Sequence, residues 1–138
     1  MKQLKLILID DNEKFRQTLK TLTIYKYHVK FIGEASSAEE ALKLKNLSSA
    51  DIIIMDVNMP GKSGIELAKE LLRFHDNSLK IIAINTHYDK VYLKTLIEAG
   101  FKGCIYKDEI INQFDRAILT VMNNKLFFPE DIPIDGRE

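Results

Sequence analysis

Four apolar runs in this sequence each stop abruptly at a polar residue, and longer amphipathic segments lie between most of them. Leu4 to Ile9 stops at Asp10-Asp11, and Ile52 to Met55 stops at Asp56. Ile81 to Ile84 gives way, one residue on, to Thr86, and Cys104 to Tyr106 stops at Lys107. Nearly continuous apolar runs mark strands buried on both faces, the condition of strands inside a parallel sheet. If these runs lie parallel, all four endings fall along one edge. That carboxyl edge is where open α/β sheets bind ligands. Three carboxylates, a hydroxyl and an ammonium would converge there, a set that can hold a divalent cation and receive a phosphoryl group.

The intervening segments fit this reading. The pattern predicts a first helix over residues 12–25, with Phe15, Leu19 and Leu22 on one face. A second strand follows at about 29–34 and a helix at 38–47, opened by a Ser37/Glu40 capping-box spacing. Ser63 and Glu66 repeat that spacing before a third helix carrying Ile65, Ala68 and Leu72. The fourth strand is placed at about 79–84 and the fourth helix at about 89–99, with Gly100 as its stop. The fifth strand is 103–106, and the last helix starts after Asp108. Five β-α units in alternation predict an α/β fold, a doubly wound five-stranded parallel sheet with five flanking helices. From Asn124 onward, Pro129, Pro133 and Gly136 change the character to an extended or linker-like tail.

The composition narrows the function classes. The 138 residues suit one domain, and Lys plus Arg balances Asp plus Glu at 20 each. A zero net charge argues against broad electrostatic binding of nucleic acid or anionic membrane. Cys104 is the single cysteine, so no disulfide framework forms within the chain, in keeping with a cytoplasmic location. No apolar stretch approaches the ~18 residues of a membrane span, and no signal-peptide pattern follows the start.

Each edge residue also has a plainer role. Asp10 or Asp11 suits a helix cap, and Lys107 could be a surface lysine whose stem lies on apolar neighbours. A cap needs one carboxylate, however. Three at one edge repel one another unless a cation balances them, and oxygen ligands with room for water suit Mg²⁺. Lys107 and the Thr86 hydroxyl could then bind oxygens of a transferred phosphoryl group, with Asp56 as the nucleophile. Pro60 and Gly61 rigidify the turn after Asp56, where the backbone carbonyl of Asn58 could complete the metal shell.

At this point the chain resembles a receiver domain of a bacterial two-component response regulator. The resemblance rests on Asp10-Asp11, Asp56 with the turn Asn58-Met59-Pro60-Gly61, Thr86, and Lys107 after Gly100 and Gly103. It covers residues 1–128, with 129–138 as a tail or the start of a linker. It implies a flavodoxin-like sheet of order 2-1-3-4-5. It implies that Asp56 accepts phosphate from a sensor histidine kinase, and that Mg²⁺ binds Asp10, Asp11, Asp56 and the Asn58 carbonyl. Lys107 would contact the phosphoryl group, and Thr86 would swing inward to it. The altered surface would be that of the fourth helix, fifth strand and fifth helix, in a signalling switch rather than an enzyme.

The segment from Ala117 to Pro129 is similar to receivers joined to LuxR-type helix-turn-helix domains. That likeness implies a phosphorylation-dependent homodimer and DNA binding through a C-terminal module absent from these 138 residues. A stand-alone receiver acting by protein contact is the alternative. A Mg²⁺-dependent aspartyl-phosphate phosphohydrolase is a further one, although Asn58 stands where such enzymes usually carry an acid. One departure concerns the switch aromatic. Its usual position, three residues before the lysine, holds Cys104, while Tyr106 sits two residues on. His87 follows Thr86 where a small residue is common. His28 and His75 are expected at the surface, Met55 and Met59 in packing.

Overall fold

The computed structural model describes residues 3–75, 78–86 and 93–129. Among them, strands β1 (Leu4–Ile9), β2 (Val29–Ala35), β3 (Ile52–Asp56), β4 (Ile81–Asn85) and β5 (Gly103–Tyr106) form one sheet of order β2-β1-β3-β4-β5. Every neighbouring pair is parallel. The helices are α1 (Glu13–Ile24), α2 (Ala38–Leu42), α3 (Gly64–Phe74), α4 (Leu93–Ala99) and α5 (Ile110–Met122). The strand order agrees with the expectation drawn from the resemblance.

Strand alternation divides the core into two layers. Ile7, Ile9, Ile53, Met55, Ile81, Ala83, Cys104 and Tyr106 face α2, α3 and α4. Leu6, Leu8, Ile52, Ile54, Ile82, Ile84 and Ile105 face α1 and α5. β3, β4 and β5 are buried at every residue, which is why they read as nearly unbroken apolar runs, whereas edge strand β2 exposes Lys30 and is half-buried over Phe31–Glu34.

Two elements differ from their predicted bounds. The helix expected over 38–47 stops at Leu42 and is followed by a 3₁₀ turn at Leu47–Ser49. The reason lies in β2, whose register against β1 slips between Leu6 and Ile7, leaving Ile32 without a partner in the ladder. The Asn46 side chain donates to the carbonyl of Ile32 at 2.8 Å and draws the chain away from a helical path. The fourth strand starts at Ile81, two residues later than placed, and runs one residue further, because Asn85 pairs with Tyr106. The fourth helix is described from Leu93, and the earlier turn assigned to it, with His87, lies outside the described residues.

Both capping spacings operate. Ser37 accepts from the Glu40 N–H at 3.1 Å, and Ser63 from the Glu66 N–H at 3.2 Å. The Glu40 carboxylate reaches back to Ser36 rather than Ser37. After α5, Asn124 turns the backbone to φ 62°. Phe127 then bridges Gly103 in parallel, donating to the Lys102 carbonyl and accepting from Cys104. Phe127 and Phe128 pack on opposite core layers.

Candidate functional site

The turn after β1 is held from several sides. Asp10 is fully buried, and its N–H donates to the Ala35 carbonyl at the end of β2. Its Oδ1 accepts from the Asn12 N–H at 2.8 Å, while Asn12 caps α1 through the Phe15 N–H at 2.9 Å. The capping role that Asp10 or Asp11 could have played therefore belongs to Asn12, which leaves both acids to the sheet edge. Arg16 donates from Nη1 to the Asp10 carbonyl at 2.5 Å and from Nε to Glu34 at 2.9 Å. Lys20 joins the same glutamate. Burial pushes the Glu34 carboxyl up, but hydrogen bonds from Lys20 and Arg16 outweigh it and hold the group below its ordinary value.

Asp56 ends β3 and is 2% exposed. Its Oδ1 accepts from the Asn58 N–H at 2.8 Å, so its Oδ2 is left toward the opening of the edge. Burial pushes its carboxyl above the ordinary value; the Asn58 N–H opposes this, Asp10 adds to it, Lys107 opposes it and Asp11 adds to it. Gly64, the first residue of α3, explains the loop's closeness. A Cβ there would lie 2.3 Å from the Asp56 carbonyl oxygen and 2.7 Å from the Val57 Cα. Only a residue without a side chain lets α3 begin this near the strand end.

Carboxylate oxygens of Asp10, Asp11 and Asp56 lie within 4.8 Å of one another. Lys107, at the end of β5, reaches into this group. Its Nζ is 3.0 Å from Oδ2 and 3.2 Å from Oδ1 of Asp10, and 3.9 Å from Oδ2 of Asp56. Its ammonium also lies 4.4 Å from the centre of the Phe15 ring. Asn58 and Thr86 meet across the opening, the Thr86 N–H donating to the Asn58 Oδ1 at 3.2 Å. Thr86 is exposed.

The four strand ends thus bring together Asp10, Asp11, Asp56 and Lys107, with Asn58 and Thr86 at the rim. Oδ2 of Asp10 is buried and, though close to Lys107, has no aligned hydrogen bond. A buried carboxylate oxygen in that condition is a fitting ligand for a hard cation, so the donor set suits Mg²⁺. Cys104 and Tyr106 are both buried in the α3–α4 layer, on the same side of β5, as alternation requires. His28 is exposed and His75 half-buried, while Met55 and Met59 lie in the core. Sequence reasoning takes Phe15 as core and does not single out Arg16. The only trace of either is a place on the first two turns of the helix after Asp11.

Residues 6–119 match the family model of the response regulator receiver domain. The chain belongs to that family. Among curated relatives, this receiver is 29% identical over 132 residues to the transcriptional regulatory protein DesR of Bacillus subtilis, covering 96% of the chain and 65% of DesR. It is 27% identical over 129 residues to the response regulator UvrY of Escherichia coli, covering 94% of the chain and 59% of UvrY. The chain therefore spans about half to two thirds of the length of the curated relatives it matches. Among solved structures, the isolated receiver domain of RcsB from Salmonella enterica serovar Typhimurium, in the presence of the phosphomimetic BeF₃⁻, superposes with a TM-score of 0.78. The identity is 23%, and the match covers 95% of this chain and 96% of that one. A LuxR-family two-component response regulator from Aurantimonas gives a TM-score of 0.82 at 24% identity, covering 95% and 93%. Among the described residues no helix is long and apolar enough to cross a membrane.

Proposed function

We propose that this receiver is a phosphorylation-dependent switch in which Asp56 takes a phosphoryl group from a phosphohistidine of a sensor histidine kinase. The observation that carries this reading is the disposition of Asp56: one oxygen is tied to the Asn58 N–H, and the other faces Lys107 at 3.9 Å beside two more carboxylates. Oδ2 of Asp56 attacks phosphorus, the P–N bond to the imidazole breaks, and its electron pair returns to the departing nitrogen, which takes a proton from solvent water. Asp10, Asp11, Asp56 and the Asn58 carbonyl would hold Mg²⁺, whose charge offsets that of the phosphoryl oxygens. Lys107 supplies a second positive charge to one oxygen, and the Thr86 hydroxyl donates to another. Phosphoryl transfer needs mainly positioning and charge neutralisation, and these residues provide both.

The output follows from where the two contact residues sit. Thr86 directly follows β4 and Lys107 directly follows β5, so engagement of both pulls on the surface of α4, β5 and α5. In the full regulator that surface controls self-association and, through a C-terminal module, DNA binding. The relative DesR, a transcriptional regulatory protein, supports that assignment. Residues 1–128 form the receiver, and 129–138 are a C-terminal tail or the start of a linker. The location is cytoplasmic. The protein assists its own phosphorylation and dephosphorylation but does not turn over an external substrate.

The test is incubation with Mg²⁺ and acetyl phosphate, followed by intact mass. One added phosphoryl group is expected on the wild type and none on Asp56→Asn. Undiminished labelling of the variant would remove Asp56 from the role. Repeated turnover of a phosphate ester would point instead to the phosphohydrolase.

A further inference from the structure

Phe15 lies on the first turn of α1, in a segment otherwise committed to fixing Asp10. The residue before this turn, Asn12, caps the helix through the Phe15 N–H itself, at 2.9 Å. The residue after it, Arg16, is bonded to the Asp10 carbonyl and to Glu34. The backbone of Phe15 is therefore pinned to the strand end that carries Asp10. Its ring is half-buried against the α1–α5 layer, and the Lys107 ammonium sits 4.4 Å from its centre. That is well inside the ~6 Å range over which an aromatic face attracts a cation.

Lys107 is a long side chain with a mobile charge, and its nearest anion is Asp10, not Asp56. A cation engaged by Asp10 competes for the same oxygens that hold the ammonium. The ring does not ligate metals, so its attraction for Lys107 survives that competition. We propose that Phe15 is a positioning residue for Lys107, its ring face keeping the ammonium beside Asp56 when Asp10 is engaged elsewhere. This inference rests on the phosphoacceptor reading of Asp56.

The experiment compares wild type, Phe15→Tyr and Phe15→Leu. Leu retains apolar bulk without a π face, and Tyr retains the face. With acetyl phosphate and saturating Mg²⁺, Phe15→Leu should be labelled about three- to tenfold more slowly, and Phe15→Tyr should stay within about twofold of wild type. The Mg²⁺ dissociation constant, read from the melting-temperature shift, should be the same in all three. In a Lys107→Ala background, Phe15→Leu should cause no further slowing. An upfield ring-current shift of the Lys107 ε-methylene protons should be present in wild type and lost in Phe15→Leu.

Equal rates for Leu and wild type overturn the inference, as does slowing of Tyr and Leu alike, which would mean packing alone. Further slowing in the Lys107→Ala background overturns it too, since the effect would not pass through Lys107. Failure of the wild type to be labelled, with the ring-current shift present, refutes the phosphoacceptor reading. Absence of the shift in wild type refutes the contact itself.

Discussion

The Lys107 ammonium lies 3.0 Å from Asp10 and 3.9 Å from Asp56, so the lysine is paired with Asp10 rather than with the proposed phosphoacceptor. Asp10 is fully buried, and Lys107 is the one cation within ion-pair distance of its carboxylate among the described residues. Lys107→Ala should therefore lower metal-free stability by about 3 kcal/mol, the usual cost of leaving a buried charge unpaired. Asp10→Asn in the same chain should recover most of that loss. Urea unfolding of the two single variants and the double variant measures both effects.

Asp56 predicts a pH dependence of definite sign. Burial raises its folded pKa above the ordinary 3.8, so its contribution to stability is fully present below that value and is lost as pH rises through the folded pKa. Asp56→Asn removes the ionised form. The variant should be more stable than wild type at pH 7, and the difference should shrink on acidification toward the ordinary carboxylate range. Glu34 supplies the opposite slope. Its pKa is lowered from 4.5, so the stability it contributes is present above that value and is lost as pH falls through the folded pKa. Glu34→Gln should cost stability at pH 7 and little at low pH. Thermal unfolding across pH 3–8 reads both curves, and each kcal/mol should appear as roughly 3–5 °C.

Asp11 is the exposed member of the acidic group. Its removal relieves repulsion without opening the core. Asp11→Ala should slightly raise the metal-free melting temperature and abolish most of the rise expected of the wild type in millimolar Mg²⁺. A full Mg²⁺ response in the variant would place the ion elsewhere.

Gly64 predicts a defect at a residue with no chemistry of its own. Its missing Cβ would collide with the Asp56 carbonyl, a backbone atom that cannot rotate away. Gly64→Ala should cost about 1–3 kcal/mol and displace the Asp56 loop, slowing labelling by acetyl phosphate even where the domain remains folded. Folding is followed by circular dichroism and labelling by intact mass on the same samples.

Tyr106 is the nearest aromatic to the usual switch position, in the same layer as Cys104 and two residues along β5. Cys104 is completely buried, so Cys104→Tyr forces a ring into packed space and should destabilise the fold by about 1–3 kcal/mol. Tyr106→Phe is the gentler probe. If Tyr106 carries the switch, the change in dimerisation constant on adding beryllofluoride should weaken in Tyr106→Phe and more so in Tyr106→Ala. An unaltered change would leave the signal to Thr86 and the loop after β4.

The strands and the site's ionic members were legible because both follow from local pattern. A strand buried on two sides must be apolar throughout and must turn polar where it leaves the core, so Asp10, Asp56 and Lys107 announce themselves. The features that were hidden depend on contacts across the fold. The early end of α2 is set by Asn46 reaching a bulged carbonyl in β2, and no window around residues 38–47 contains that information. Phe15 looked like one more apolar residue on a helix face. Its place under Lys107 joins positions 92 residues apart in the chain, since α1 and β5 meet only in the folded domain.

An open sheet has two raw edges, and each is a template on which another chain can pair. Here β2 is bent by its bulge at Ile32, and β5 is covered at Gly103 by Phe127, whose carbonyl would lie 2.8 Å from any Cβ at that glycine. The segment after α5 thus guards the sheet against its own kind. Cutting the chain after Asn124 would strip that guard from β5 and leave one donor, the Cys104 N–H, and one acceptor, the Lys102 carbonyl, exposed. Such a fragment should keep Asp56 in place yet aggregate more readily, a separation of site from colloidal behaviour that light scattering of matched fragments would reveal.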